Sequence, residues 1–250
     1  MKAWKTHALR IVALLALCLL ALQLSFVLRV GAMAFVDPRS TSFQRSEAWR
    51  LLVERRRIDW SQQWVPYARI SPHLKRAVIA SEDAGFVEHS GVEWEAIERA
   101  WQRNERAEAR AEKAQAQTKA VGRATTVPKV VGGSTISQQL AKNLFLSGAR
   151  TPLRKAQELL ITGMLELLLS KQRILEIYLN NVEWGEGVFG AQAAARHYFQ
   201  KDAANLSAYE AARLAVMLPA PKRFEKRPGS AYVSERAATI VARMGAVQLP

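Results

Sequence analysis

Eighteen successive residues, Ile11 to Leu28, carry no charge and only two polar side chains, Gln23 and Ser25. A run of that length approaches a bilayer span, where a helix satisfies every backbone amide internally. The chain is therefore expected to divide into a cytoplasmic stretch 1–10, a transmembrane anchor 11–31, a membrane-proximal connector 32–64 and a catalytic-sized part 65–250. Lys2, Lys5 and Arg10 precede the run, so the positive-inside rule leaves the N-terminus in the cytoplasm and carries the rest across. A cleaved signal peptide ending at Ala32-Met33-Ala34 is the competing reading. The run exceeds the roughly 7–15 residues of a signal core, and Arg29 falls before that cut, so an uncleaved anchor fits better.

Export narrows the chemistry. The single cysteine, Cys18, lies inside the apolar run, which leaves the exported part no disulfide, thiol nucleophile or thiolate metal site. The four histidines, His7, His73, His89 and His197, lack metal-ligand spacing such as His-Glu-x-x-His. Carboxylates remain as the working groups. The net charge of +14 calls for anionic partners. Transport across a membrane argues against nucleic acid and for lipid headgroups, lipid phosphates or an acidic polymer.

Helical signals dominate beyond residues 37–70, a membrane-proximal stretch that holds Pro38, Arg55-Arg56-Arg57, Trp60, Trp64 and Tyr67 and is expected in part to touch lipid. Ser71-Pro72 and Thr151-Pro152 each place a cap before a proline at the first helical position. Ser170 can cap a helix over Lys171 to Leu179, and Ser207-Ala-Tyr-Glu210 is a capping box. Ala191 to Phe199 and Ser234 to Val247 also carry helical patterns, and sustained period-two alternation is missing. The expected class is all-α. Residues 103–129 are rich in Ala, Glu, Arg, Lys and Gln and poor in large apolar groups, which suits a mobile flap or an inert surface insertion.

Three polar positions stand out against this helical background. Gly132-Gly-Ser-Thr-Ile-Ser-Gln-Gln139 combines backbone freedom, a helix cap at Ser134 or Thr135, and amides that with Lys142 project at helical spacing. It lacks the Gly-Lys-Ser/Thr of a P-loop, and Ile136 stands where a nucleophile elbow needs glycine. Glu82 lies at i+8 from Leu74 and i+4 from Val78, on the buried stripe of its helix and in its C-terminal turn. Desolvation and the helix dipole both raise the pKa of such a group, as a general base or acid requires, although a glutamate at a helix end can also bend to water. Glu158 follows Arg154 by four residues at the start of a helix crowded by Arg150, Arg154 and Lys155, a place suited to phosphate. The bland account there is an exposed ion pair. Glu166, deeper in the same apolar helix, needs a partner and reads as structural.

Taken together, Glu82-Asp-Ala-Gly-Phe86-Val-Glu-His89-Ser-Gly91, the Gly132 to Gln139 stretch with Lys142-Asn143, Arg154-Lys155-Ala-Gln-Glu158 and Arg173-Ile-Leu-Glu-Ile-Tyr178-Leu-Asn180 resemble one family over about residues 65–225. It is the peptidoglycan glycosyltransferases that polymerise lipid II. The resemblance implies a lysozyme-like helical glycosyltransferase domain with a small membrane-proximal jaw, anchored in the bacterial inner membrane with the catalytic part in the periplasm. It implies Glu82 as the base that deprotonates the acceptor 4-hydroxyl, and Glu158 as a second essential carboxylate. It implies Lys142, Arg154 and Lys155 at the diphosphate of the leaving undecaprenyl group, and Ser134, Thr135 and Gln139 at sugar and phosphate. Asp83, Phe86 and His89 are carried as further substrate-binding positions. No cofactor is expected to be required; a divalent cation, Mg or Mn, can assist the diphosphate in some family members, and no dedicated metal ligands are identified here. Lipid II and the lipid-linked glycan, membrane lipid, and proteins of the division or elongation machinery are the implied partners, with no nucleic acid.

Two departures from the pattern are visible: the segment between Trp101 and Gly132 is long, and Ser137 stands where threonine is usual. No Ser-x-x-Lys set of a penicillin-binding transpeptidase occurs, so a monofunctional enzyme is expected. The rival readings are a glycan-cleaving enzyme, which has no use for a diphosphate site, and a non-catalytic scaffold, for which retained Glu82 and Glu158 are unneeded.

Overall fold

The computed structural model describes residues 2–95, 98, 102, 105–106, 133–149 and 151–250. Gly132, Arg150 and the expected 103–129 insertion, apart from residues 105–106, lie outside them. The described chain is mostly helical.

Helix α1 (Lys2–Ala32) contains the apolar run, and its segment His7–Ala32 is long and apolar enough to cross a membrane. Its last third docks on the rest of the protein. Phe26, Val30 and Met33 are buried, and Phe26 meets Phe145 edge to face at 5.3 Å. Arg29 lies 4.7 Å over the same ring. Gln23, the polar interruption of the run, exchanges two amide hydrogen bonds with Gln157 at 2.9 and 3.1 Å.

The connector holds more structure than the sequence reading gave it. Helix α2 (Ser42–Arg55) opens on a capping box in which Thr41 and Gln44 satisfy one another's backbone amides. Gln44 reaches the backbone and side chain of Asn181, which ties α2 to the core. Strand β1 (Ser61–Gln62) then pairs in parallel with β3 (Val188–Phe189), which pairs antiparallel with β2 (Glu183–Gly185). Strands of two or three residues are too short to register as alternation.

The body is built around α3 (Pro72–Glu82), α4 (Ile136–Phe145), α5 (Pro152–Leu168) and α6 (Lys171–Asn181). Ser71, Thr135, Thr151 and Ser170 each cap the helix that follows through a side-chain oxygen. Helix α6 is central: Ile174, Leu175, Ile177, Tyr178 and Leu179 are buried on nearly every side. Its end is fixed by Asn180, whose amide exchanges two 2.9 Å hydrogen bonds with the backbone of Val65. After the strands come α7 (Ala191–Phe199), α8 (Ala208–Met217), the short α9 (Pro221–Phe224) and α10 (Ala231–Met244). Helices α3, α8 and α10 pack on one another, while α4 packs against α5, α6 and α2. The last helix begins earlier than the pattern from Ser234 suggests, because Ser230 caps it, accepting from the Val233 amide.

Candidate active site

Helix α3 ends at Glu82, and the next residue turns the chain: Asp83 leaves helical geometry and its N–H closes on Ile79. The two neighbouring carboxylates part company there. Asp83 points inward and is buried; one oxygen accepts from the Ile136 amide at 2.9 Å, the other lies 2.7 Å from His89 Nε2. His89 Nδ1 accepts from the Gly91 amide at 3.0 Å, so the ring proton resides on Nε2 and is donated to Asp83. This joins the end of α3 to the start of α4.

The turn after Asp83 is locked at further points. Thr135 Oγ1 donates to the Gly91 carbonyl at 2.7 Å, and Lys171 donates to the His89 carbonyl at 2.6 Å while lying over the Phe86 ring. Gly91 has φ +86°, and a Cβ there would sit 2.6 Å from a Thr162 methyl, so only glycine fits. Glu166 finds its structural partners in Lys171 and Ser137. Asp83, Phe86, His89 and Thr135, carried from the sequence as substrate contacts, are thus buried or nearly so and committed to shaping the turn. Their polar groups face protein.

Glu82 lies largely buried on the other side. Its Oε2 accepts from Gln139 Nε2 at 3.0 Å, with Ser81 Oγ at 3.5 Å from Oε1. Gln139 is oriented in turn by the buried Tyr178, whose hydroxyl donates to Gln139 Oε1 at 2.9 Å. Burial raises the Glu82 pKa above the ordinary carboxylate value; the Asp83 charge adds to this, and the Gln139 and Ser81 hydrogen bonds oppose it. Burial, with the Glu82 and Asp83 charges, also holds the Tyr178 phenol well above its usual range.

Beside this acid opens a cavity of about 410 Å³ lined by residues of α2, α4, α5, β2 and α9. Ser134, Gln138, Gln139, Lys142, Arg154, Lys155 and Glu158 all face it, so the structure gathers most of the sequence candidates on one surface. Glu82 itself stands one hydrogen bond behind that lining, through Gln139. Glu158 is buried, not an exposed ion-pair member: Arg154 Nη1 donates to one oxygen at 2.6 Å and Lys155 Nζ to the other. Two buried donors in the same wall, Arg154 Nε and Gln138 Nε2, have no partner among the described residues. Unpaired buried donors are costly, and an anionic or hydroxyl-rich ligand would satisfy them.

Sequence reasoning missed one lining carboxylate, Glu183 of β2, and gave no role to Tyr178. Glu183 was legible only as a charge between the apolar Val182 and Trp184.

The family described as Transglycosylase matches residues 52–245. The chain belongs to the transglycosylase family. A biosynthetic peptidoglycan transglycosylase of Paraburkholderia xenovorans is 50% identical over 238 residues, covering 95% of this chain and 91% of the relative. One of Burkholderia thailandensis is 51% identical over 231 residues, covering 92% of this chain and 83% of that protein. The transglycosylase match begins inside α2, after Phe43 and Ser46, the α2 residues that line the cavity.

Proposed function

We propose that this transglycosylase polymerises the glycan of peptidoglycan by transferring a lipid-linked glycan to the 4-hydroxyl of lipid II. The observation that carries the reading is the juxtaposition of a desolvated carboxyl, Glu82, with a wall of cations and orphaned donors one side chain away. A glycan hydrolase needs the first feature and has no use for the second.

In the proposed step Glu82, in its carboxylate form, takes the proton from the acceptor hydroxyl as that oxygen bonds to the donor's anomeric carbon. The anomeric carbon inverts, giving a β-1,4 bond, and the bond to undecaprenyl diphosphate breaks. Negative charge gathers on the departing diphosphate, where the buried Arg154 Nε and Gln138 Nε2 and the more exposed ammonium groups of Lys142 and Lys155 offer donors. Glu158 holds Arg154 and Lys155 in place and keeps the paired charges from repelling one another. Tyr178 fixes the Gln139 amide so that its N–H, and not its oxygen, meets Glu82.

Among the described residues a divalent cation finds a poor fit. Both Glu158 oxygens are held by cations, and Asp83 of the Asp83, His89, Glu93 cluster is committed to His89 and the Ile136 amide. A cation brought by the substrate would rest on diphosphate oxygens.

Helix α1 would anchor the enzyme with its N-terminus in the cytoplasm. Leu153, Leu160 and Leu167 form an exposed stripe on α5, the helix that meets α1, and this stripe would lie at the lipid surface from which substrate is drawn. The test is incubation of the detergent-solubilised full chain with labelled lipid II. Polymer that lysozyme digests supports the reading; no polymer, or shortening of preformed glycan, defeats it.

A further inference from the structure

Glu183 is 7% exposed, lines the cavity, and has one carboxyl oxygen, Oε1, without a hydrogen-bond partner among the described residues. The proposed glycosyl transfer leaves it without a task. Its surroundings are mostly acidic. Glu47 of α2 and Glu225 after α9 bear on it electrostatically, and the Tyr198 hydroxyl of α7 feels its charge. Lys222 of α9 is shared: its ammonium stands 3.4 Å from Oε1 and makes its closer contact to Glu47. Arg50 is divided among Glu47, Glu54 and Glu186.

A carboxyl so placed gains little from ionising. Burial and the two neighbouring carboxylates outweigh the shared Lys222 and push its pKa up to about 7. In the acid form Oε1 or Oε2 carries a proton and becomes a donor.

We propose that Glu183 is a substrate-binding residue that, as a neutral acid, donates a hydrogen bond to an uncharged oxygen of the bound glycan, such as an N-acetyl carbonyl. The inference rests on the glycan-polymerase reading and deepens it. The cavity is then divided by chemistry: α4 and α5 present cations and donors to the diphosphate, while β2 presents an acid that favours sugar and disfavours phosphate. Protonation is the condition of the contact, since the ionised form loses the donor and repels electron-rich oxygens.

The test titrates the full chain in detergent with a soluble N-acetylated chitooligosaccharide, reading binding by saturation-transfer NMR at pH 6 and pH 8.5. Wild-type affinity is expected to fall about 3–10-fold over that interval, the worth of one hydrogen bond. Glu183→Gln, which keeps a neutral donor, is expected to bind without that fall, and Glu183→Leu to bind weakly at both pH values. Thermal unfolding confirms that each variant is folded. The inference is overturned if wild type does not bind, if Glu183→Leu matches it at pH 6, or if Glu183→Gln keeps the same fall. Polymer from wild type together with any of those results sinks this inference alone. The expected binding pattern without polymer from lipid II sinks the polymerase reading and leaves the sugar contact standing.

Discussion

Gln139 Nε2 donates to Glu82 Oε2 at 3.0 Å, and the direction of that bond is set elsewhere, because Gln139 Oε1 is already occupied by the hydroxyl of Tyr178. A hydrogen bond to the charged form of a carboxylate lowers its pKa, so this chain of contacts tempers the upward push of burial on Glu82. The contact favours the carboxylate form, the form a base needs.

Tyr178→Phe removes the hydroxyl that orients the amide. The freed amide can turn its oxygen toward Glu82, and the carboxylate then loses its donor. The acid limb of the kcat/KM profile is expected to move to higher pH, with kcat reduced about 3–10-fold at neutral pH. A profile that superimposes on wild type would show that Tyr178 serves packing alone.

Asp83→Asn is expected to damage the fold, in contrast to substitution of its neighbour. Asp83 accepts from both the Ile136 amide and His89 Nε2, and an asparagine amide must aim a donor at one of those donors. The cost expected is about 2–4 kcal/mol in chemical denaturation. Unfolding at the wild-type denaturant midpoint would contradict the assignment of Asp83 to the turn.

Arg154→Lys keeps a cation near Glu158 but discards the Nε donor that has no partner among the described residues. Product inhibition by undecaprenyl diphosphate is expected to weaken about tenfold. Unchanged inhibition would remove Arg154 Nε from the diphosphate site.

Glu183 has a stability signature independent of substrate. Its folded pKa of about 7 exceeds the ordinary 4.5, so the native state binds more protons between those values and stability falls as pH rises through that window. Glu183→Gln lacks this loss. From pH 5 to pH 8 the wild type is expected to lose roughly 1–3 kcal/mol relative to Glu183→Gln, read from paired denaturation curves. Parallel curves would show that Glu183 titrates as an ordinary carboxylate.

Much of the architecture was legible because it rests on local signals. Ser71-Pro72, Thr151-Pro152, Ser170 and Ser207 each announced a helix that the structure contains. Thr41 and Gln44 carried the same kind of signal, but Pro38 and the basic run drew residues 37–70 toward a connector, and α2 went unread. The site was legible in part. Glu82, Lys142, Arg154, Lys155 and Glu158 sit on helices at readable spacing, and the structure brings them to one region. Spacing could not tell that Asp83 and His89 face each other across a turn, since that depends on Gly91 and on the capped start of α4. Nor could it place Glu183 at the cavity, which requires α2 and α9 to close around β2 from distant parts of the chain.

The central claim is that Glu82 removes the acceptor proton while the cations of α4 and α5 hold the diphosphate. The most direct measurement compares wild type and Glu82→Gln in detergent, following both lipid II binding and the formation of lysozyme-sensitive polymer on the same samples. The account predicts that Glu82→Gln binds lipid II within a few-fold of wild type and polymerises about 10²–10⁴-fold more slowly. Polymerisation within tenfold of wild type, by a variant that binds and folds normally, would contradict it.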